Sequence, residues 1–240
     1  MMDWLLRKAE DLTVQVADQT LPISIRRHPR ATRMTLRLAP DGSEVRLTIP
    51  QWGRTAEALE FARRRADWLG AQLANLPDNA PPHPGGAVLY RGHPLTIHWA
   101  ANAPRKPMRV ENALRIGGPE SNLPTRLGRW LEGEALQLME EDLAHYCQLI
   151  GRDMQPIRLS RAKRRWGSCS SDGTVRLNWR LIQAPDLVRR SVVAHEVAHL
   201  VHFDHSPAFH ALLRDIFEGD VAQANQWLKR EGRTLYTAFG

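Results

Sequence analysis

The chain has 240 residues, 42% of them apolar and 25% charged, with a formal charge of +7 at pH 7 and a sequence pI of about 10.1. This is the composition of a soluble globular protein long enough for one large domain or two small ones. No apolar run reaches the roughly 18 residues of a membrane helix, and two cysteines, Cys147 and Cys169, make no disulfide framework; the basic balance favours anionic partners, nucleic acid among them.

The opening "MMDWLLRKAEDLTVQV" has no long apolar stretch ahead of a small-residue cleavage site, so no signal peptide is expected and the cytoplasm is the default location. Residues 20 to 50 read as strands. Met34, Leu36 and Leu38 alternate with polar residues, Asp41-Gly42 follows, and Val45, Leu47 and Ile49 alternate again, the pattern of a hairpin. The period then changes: Ala58, Leu59, Ala62, Ala66, Leu69 and Leu73 predict one long helix from Thr55, which is placed to be its N-cap. "PDNAPPHPGG" (77 to 86) is a loop by composition. Short strands return at "AVLYRG", "PLTIHWA" and "MRVENALRIGG", with Asn112 at the turn of the last pair.

From about Leu123 to Ile150 a second long helix is expected, its apolar face built from Leu127, Trp130, Leu131, Ala135, Leu138, Leu143 and Ala144. "PIRLSRAKRRWGSCSSDGTVRLNWRL" reads as a strand, a basic loop and a hairpin turning at Asp172-Gly173. A helix opening near Pro185 carries most of the remaining chemistry, and a last helix ends at Gly232. No internal repeat is visible. The reading is α+β, with a β-rich first half (1–120, containing one long helix) and a second half (121–240). Cation runs at "SIRRHPRATRMTLRL" and "FARRRADW" read as solvated surface.

His195, Glu196 and His199 form H-E-x-x-H in a segment without Gly or Pro from Asp186 to Phe203. On a helix the two histidines lie one turn apart on one face and converge on one Zn²⁺, while Glu196, rotated by about 100°, sits beside the ion as a base without binding it. A catalytic zinc takes a third protein ligand. His202 lies on the same face but roughly 10 Å along the axis from His195, and Asp204 points elsewhere as the helix ends. His205 follows the helix, just before Ser206-Pro207, which reads as N-cap and first residue of a new helix; it is the leading candidate, with His210 and Glu218 in reserve. The spacing H-E-x-x-H-x₅-H is that of metzincin proteases, but His202 stands where their motif has Gly and no Met follows Met154.

"RRWGSCSSDGTVRLNWRLIQAP" followed by "VVAHEVAHLVHFDHSPAFHALL" resembles the YgjP-like metallopeptidase family of predicted metal-dependent hydrolases. The match lies at Arg165 to Ser170, Gly173, Asn178 to Leu181, His195 to Leu200, and His205, Ser206 and Phe209. Asp204 replaces the family's usual Asn, and His210 replaces an aromatic residue, which removes its claim as a general ligand. The family is similar to SprT-like minimal zincins. The resemblance implies a zincin-like metallohydrolase core with the H-E-x-x-H helix packed on a small sheet, His195, His199 and His205 as ligands, and Glu196 as base.

Arg165, Ser168, Cys169 and Ser170 are the candidate substrate contacts. Gly167 permits close backbone approach, Trp166 and Trp179 read as core, and Asn178 either orients a ligand histidine or caps the hairpin. The leading expectation is a Zn²⁺-dependent metallopeptidase. Two alternatives keep the metal: a phosphohydrolase acting on nucleotides, with Arg161 to Arg165 on phosphate, and a DNA-associated module docked through its basic first half. Imidazole also suits other divalent transition metals, and the oligomeric state stays open.

Overall fold

A computed structural model of the chain describes residues 12–39, 42–74 and 81–239, and falls into two compact units, Met1–Asn79 and Ala80–Gly240. In the first unit, β1 (Thr13–Val16), β2 (Gln19–His28), β3 (Thr35–Leu38) and β4 (Val45–Pro50) form a sheet in the order β1-β2-β4-β3, in which β2 and β4 run parallel and the other pairs antiparallel. The expected hairpin is β3 with β4, and Gly42 in its turn takes φ 73°, which costs glycine little; Asp41 lies outside the described residues. The helical pattern is realised as two helices, α1 (Thr55–Arg64) and α2 (Ala66–Ala74), because the chain leaves the helical region at Arg65 (φ −105°, ψ 12°). No Gly or Pro marks that break. The N-cap of α1 is Arg54 and makes no side-chain bond, so Thr55 is the first helical residue and not the cap. Ala58, Ala62 and Leu69 from these helices close a core over Val14, Val16, Ile23, Val45, Leu47 and Ile49, the alternate positions of the sheet.

The second unit begins with β5 (Ala87–Tyr90), β6 (His93–Trp99), β7 (Met108–Val110) and β8 (Ala113–Ile116), ordered β5-β6-β8-β7. β7 and β8 turn through Glu111-Asn112, where Asn112 was expected. The long helix α3 (Leu123–Leu149) follows. Its buried stripe runs through Leu127, Leu131, Ala135, Met139, Leu143, Tyr146 and Cys147; Ala144, assigned to that face from the sequence, is exposed. Then come β9 (Ile157–Ser160), β10 (Gly167–Cys169) and β11 (Val175–Asn178), ordered β10-β11-β9, with β10 antiparallel to β11 and turning through Asp172-Gly173 as read. Three helices complete the unit: α4 (Asp186–Ala198), α5 (Pro207–Ile216) and α6 (Val221–Glu231), the last capped at Gly232.

The division near residue 120 is therefore displaced to Asn79/Ala80. The physical reason is that Val88, Tyr90, Leu95, Ile97, Leu114 and Ile116 of the second four-stranded sheet share one core with Leu123, Leu127 and Leu131 of α3 and with Val193 and Val197 of α4; one buried core makes one unit. Of the loop read at 77 to 86, residues 77 to 80 lie outside the described residues, as do residues 1 to 11. Among the described residues no helix is long and apolar enough to cross a membrane.

Candidate metal centre

α4 delivers the first two histidines. Leu187 and Val188 begin a pattern whose Val192, Val193, Val197 and Ala198 are buried, so the helix packs along its apolar side on α3, β10 and β11. Its seat is held by charge: Arg189, 3% exposed, donates Nε–H to Asp142 of α3 at 2.8 Å and also pairs with Asp186, which Arg91 in the β5–β6 turn pairs in turn. Burial pushes the Asp142 carboxyl up against the pull of Arg189 and Arg190. Regular helix stops at Ala198, within the segment free of Gly and Pro, because the last turn tightens: Leu200 bonds Val197 and Val201 bonds Ala198, each three residues back.

The turn that follows brings His205 back. Asp204 Oδ1 accepts from the Ser206 N–H at 3.3 Å, Ser206 Oγ accepts from the Phe209 N–H at 3.3 Å as the N-cap of α5, and Pro207 occupies its first position. One ring nitrogen from each of His195, His199 and His205 can be chosen so that all three lie within 4.8 Å of one another. His205 Nε2 stands 3.2 Å from His195 Nε2; two nitrogens on one tetrahedral Zn²⁺, each bonded at about 2.0–2.1 Å, stand roughly 3.3–3.4 Å apart. The Nδ1 of His199 lies 3.0 Å from the His202 carbonyl oxygen. A carbonyl only accepts, so Nδ1 carries the proton and Nε2 presents its lone pair to the site. Burial, then the neighbouring imidazoles, press the His195 pKa down to about 4, which keeps it neutral as a ligand must be. The donor set fits a divalent transition ion.

Phe209, fully buried, floors the cluster, its ring centroid 5.0, 4.6 and 4.9 Å from those of His195, His199 and His205. Its position four residues after His205 was visible in the sequence; its contact with all three imidazoles was not. The other candidates fall away. His202 supplies a carbonyl, and His210 is exposed with its ring 6.2 Å from that of His205. Glu218 accepts from the Tyr146 hydroxyl at 2.7 Å and pairs with Arg190 at 2.8 Å, outside the cluster.

Glu196 is 5% exposed, and burial lifts its carboxyl to about 7 against the opposing pull of the Cys169 backbone N–H and the Arg165 charge. β10 lies directly on it. A Cβ at Gly167 would overlap Glu196 Oε1 and come within 2.7 Å of both Cδ and Cγ, so only glycine lets the strand pass so close to the carboxylate. Asn178 N–H bonds the Trp166 carbonyl and Ser170 N–H the Thr174 carbonyl. By the antiparallel alternation, Gly167 and Cys169 then turn their N–H and C=O away from β11, along the free edge of the sheet.

The remaining motif residues divide. Arg165 is exposed with its charge acting on Glu196, and Ser168 is half-buried in β10 opposite Arg176. The Cys169 thiol is pushed up by burial and then by Glu196, which keeps it protonated and unreactive. Ser170, read as a substrate contact, is engaged in the turn: its hydroxyl meets Asp172 Oδ1 at 2.6 Å, the Thr174 carbonyl at 2.9 Å and Arg176 at 3.1 Å. Asn178 takes neither expected role. Fully buried, it donates to the Ala162 carbonyl at 2.8 Å and accepts from Arg180 N–H at 3.1 Å, capping the short 3₁₀ helix Trp179–Gln183 and holding the basic loop. Arg161 pairs with Glu132 at 2.6 Å. Trp179 is core, and Trp166 packs against Tyr236, their ring centroids 5.6 Å apart.

The family model described as "YgjP-like, metallopeptidase domain" matches residues 32–231 of the chain. Among solved structures, that of the metallopeptidase zymogen of Pyrococcus abyssi abylysin matches at 22% identity over 40% of this chain and 96% of that one, with a TM-score of 0.36. No curated protein matches.

Proposed function

The chain belongs to the YgjP-like metallopeptidase family, and from that premise we propose a zinc-dependent peptidase with His195, His199 and His205 as ligands and Glu196 as general base. The observation that carries this reading is the convergence of the three imidazoles beside a buried carboxylate that β10 covers through Gly167. When bound, the ion supplies a Lewis acid that polarises the scissile carbonyl and lowers the pKa of the attacking water. Glu196 takes the water's proton on a carboxylate oxygen and returns it to the leaving amine. The edge of β10 offers the outward N–H and C=O of Gly167 and the C=O of Cys169, whose N–H is on Glu196, to an extended peptide, which adds as a further strand. Arg165 borders that edge, and its positive charge favours the carboxylate form of Glu196. A peptide substrate is favoured over a nucleotide because Arg161 is spent on Glu132, whereas the strand edge suits an amide backbone.

The test incubates the purified chain with unfolded casein and, separately, with nucleoside triphosphates, each with and without chelator. Chelator-sensitive cleavage of casein that Glu196→Gln removes, with metal retained, is the expected result. Phosphate release that depends on Arg165, without peptide cleavage, would overturn the peptidase reading.

A further inference from the structure

In the first unit, α1 and α2 cover the face of the sheet on which Val14, Ile23 and Leu47 lie. The register fixes what the other face carries. Arg26 pairs with Thr48, Ser24 with Arg46, and Arg37 stands directly opposite Arg46. Like charges in directly opposed positions destabilise a sheet. Glu44 pairs with Arg46 at 2.7 Å, which offsets one cation. Arg26 and Arg37 remain exposed, among Ser and Thr side chains.

The topology adds to this face at one end. β2 and β4 run parallel, so their C-terminal ends share an edge. The connection from β2 to β3 must cross that edge, which brings Arg30 and Arg33 to the point where the chain leaves β4 at Trp52. The Trp52 side chain is 75% exposed, the most exposed of the large apolar side chains among the described residues. Arg27 holds its loop by bonding the Gly53 carbonyl and Thr55 Oγ1, the latter at 3.1 Å. An exposed indole on a turn tied down by Arg27, at the strand end that the arginine-bearing β2–β3 connection crosses, suits a stacking platform beside a phosphate track.

We propose that this face of the first unit binds single-stranded nucleic acid, with Arg26, Arg37, Arg30 and Arg33 on successive phosphates and a base stacked on Trp52. Charge complementarity favours an anionic partner here: a phosphate at Arg37 offsets what repulsion with Arg46 remains beside Glu44. A lipid surface fits less well, since among the described residues the exposed side chains of this face are polar apart from Trp52 and Pro22.

The test measures fluorescence anisotropy of a labelled oligothymidylate of about twenty nucleotides titrated with the full chain at several salt concentrations. Binding should weaken linearly on a log–log plot. The double variant Arg26→Gln, Arg37→Gln should bind at least tenfold more weakly, with a salt slope shallower by about 1.4, from roughly 0.7 per lost single-strand phosphate contact. Trp52→Ala should cost roughly tenfold on the single strand. Arg37→Glu should weaken binding while leaving Tm equal or higher, because it removes the repulsion with Arg46; a loss of binding accompanied by unfolding would not count as support, and the Gln variant then decides. Binding that is insensitive to salt and to the double variant overturns the proposal. So does capture by phosphatidylserine vesicles without oligonucleotide binding, or tighter binding of a duplex that ignores Trp52→Ala. No catalysis is needed, so the outcome is independent of the peptidase reading.

Discussion

The two four-stranded sheets of this protein have the same plan. Each is a hairpin, then a parallel step, then a second hairpin, in the orders β1-β2-β4-β3 and β5-β6-β8-β7, although the sequence shows no repeat. They differ in what each face meets. The first sheet carries its own two helices and turns Arg26, Arg37 and Arg46 outward. The second merges its inner face with α3 and α4, and its outer face carries Met108 and Val110 beside Arg115. Strand order therefore says little about use. Function follows the side chains that the pleat exposes or buries: the second unit gathers three half-buried to exposed histidines near a buried Glu196, while the first unit lays its arginines on an open sheet face.

Substitutions should separate the two units by size of effect. The largest is expected at Glu196→Gln: casein cleavage falls by about 10²–10⁴ while metal content, read by atomic emission, stays near one per chain. Full activity in that variant would remove the residue from its role. His205→Ala should instead lower the metal content itself. Gly167→Ala, which drives a methyl into the Glu196 carboxylate, should cut cleavage with metal retained; an unimpaired enzyme would show that β10 can withdraw without consequence. Arg189→Met leaves the buried Asp142 with only the more distant Arg190, at 3.8 Å, and should cost about 3 kcal/mol in urea unfolding. Tyr146→Phe removes the hydroxyl bonded to Glu218 and should cost about 0.5–1.5 kcal/mol with metal content unchanged, whereas a loss of metal would return Glu218 to the ligand set. At the small end, Arg26→Gln on the first sheet should stay within about ±0.5 kcal/mol; a larger loss would show that this face is structural, and the contrast between the units would fail.

The sequence by itself determined the parts of the site that short spacing controls. A helical turn sets His195 against His199, and Ser206-Pro207 starts a new helix just after His205, so the pair and its leading third candidate, within eleven residues, were legible from local geometry. The hairpins β3–β4, β7–β8 and β10–β11 were legible for the same reason, since alternation and turn residues are properties of neighbours along the chain, whereas β1 and the parallel pairs were not. What only the tertiary structure decided lies between distant positions. Gly167 against Glu196, Asn178 on Ala162 and Tyr236, Glu218 taken up by Tyr146 and Arg190, and the unit boundary at Asn79/Ala80 all depend on which surfaces pack. Hydrophobic burial is non-directional, so the sequence marks the faces that must be covered, and the fold alone selects the partner that covers each one.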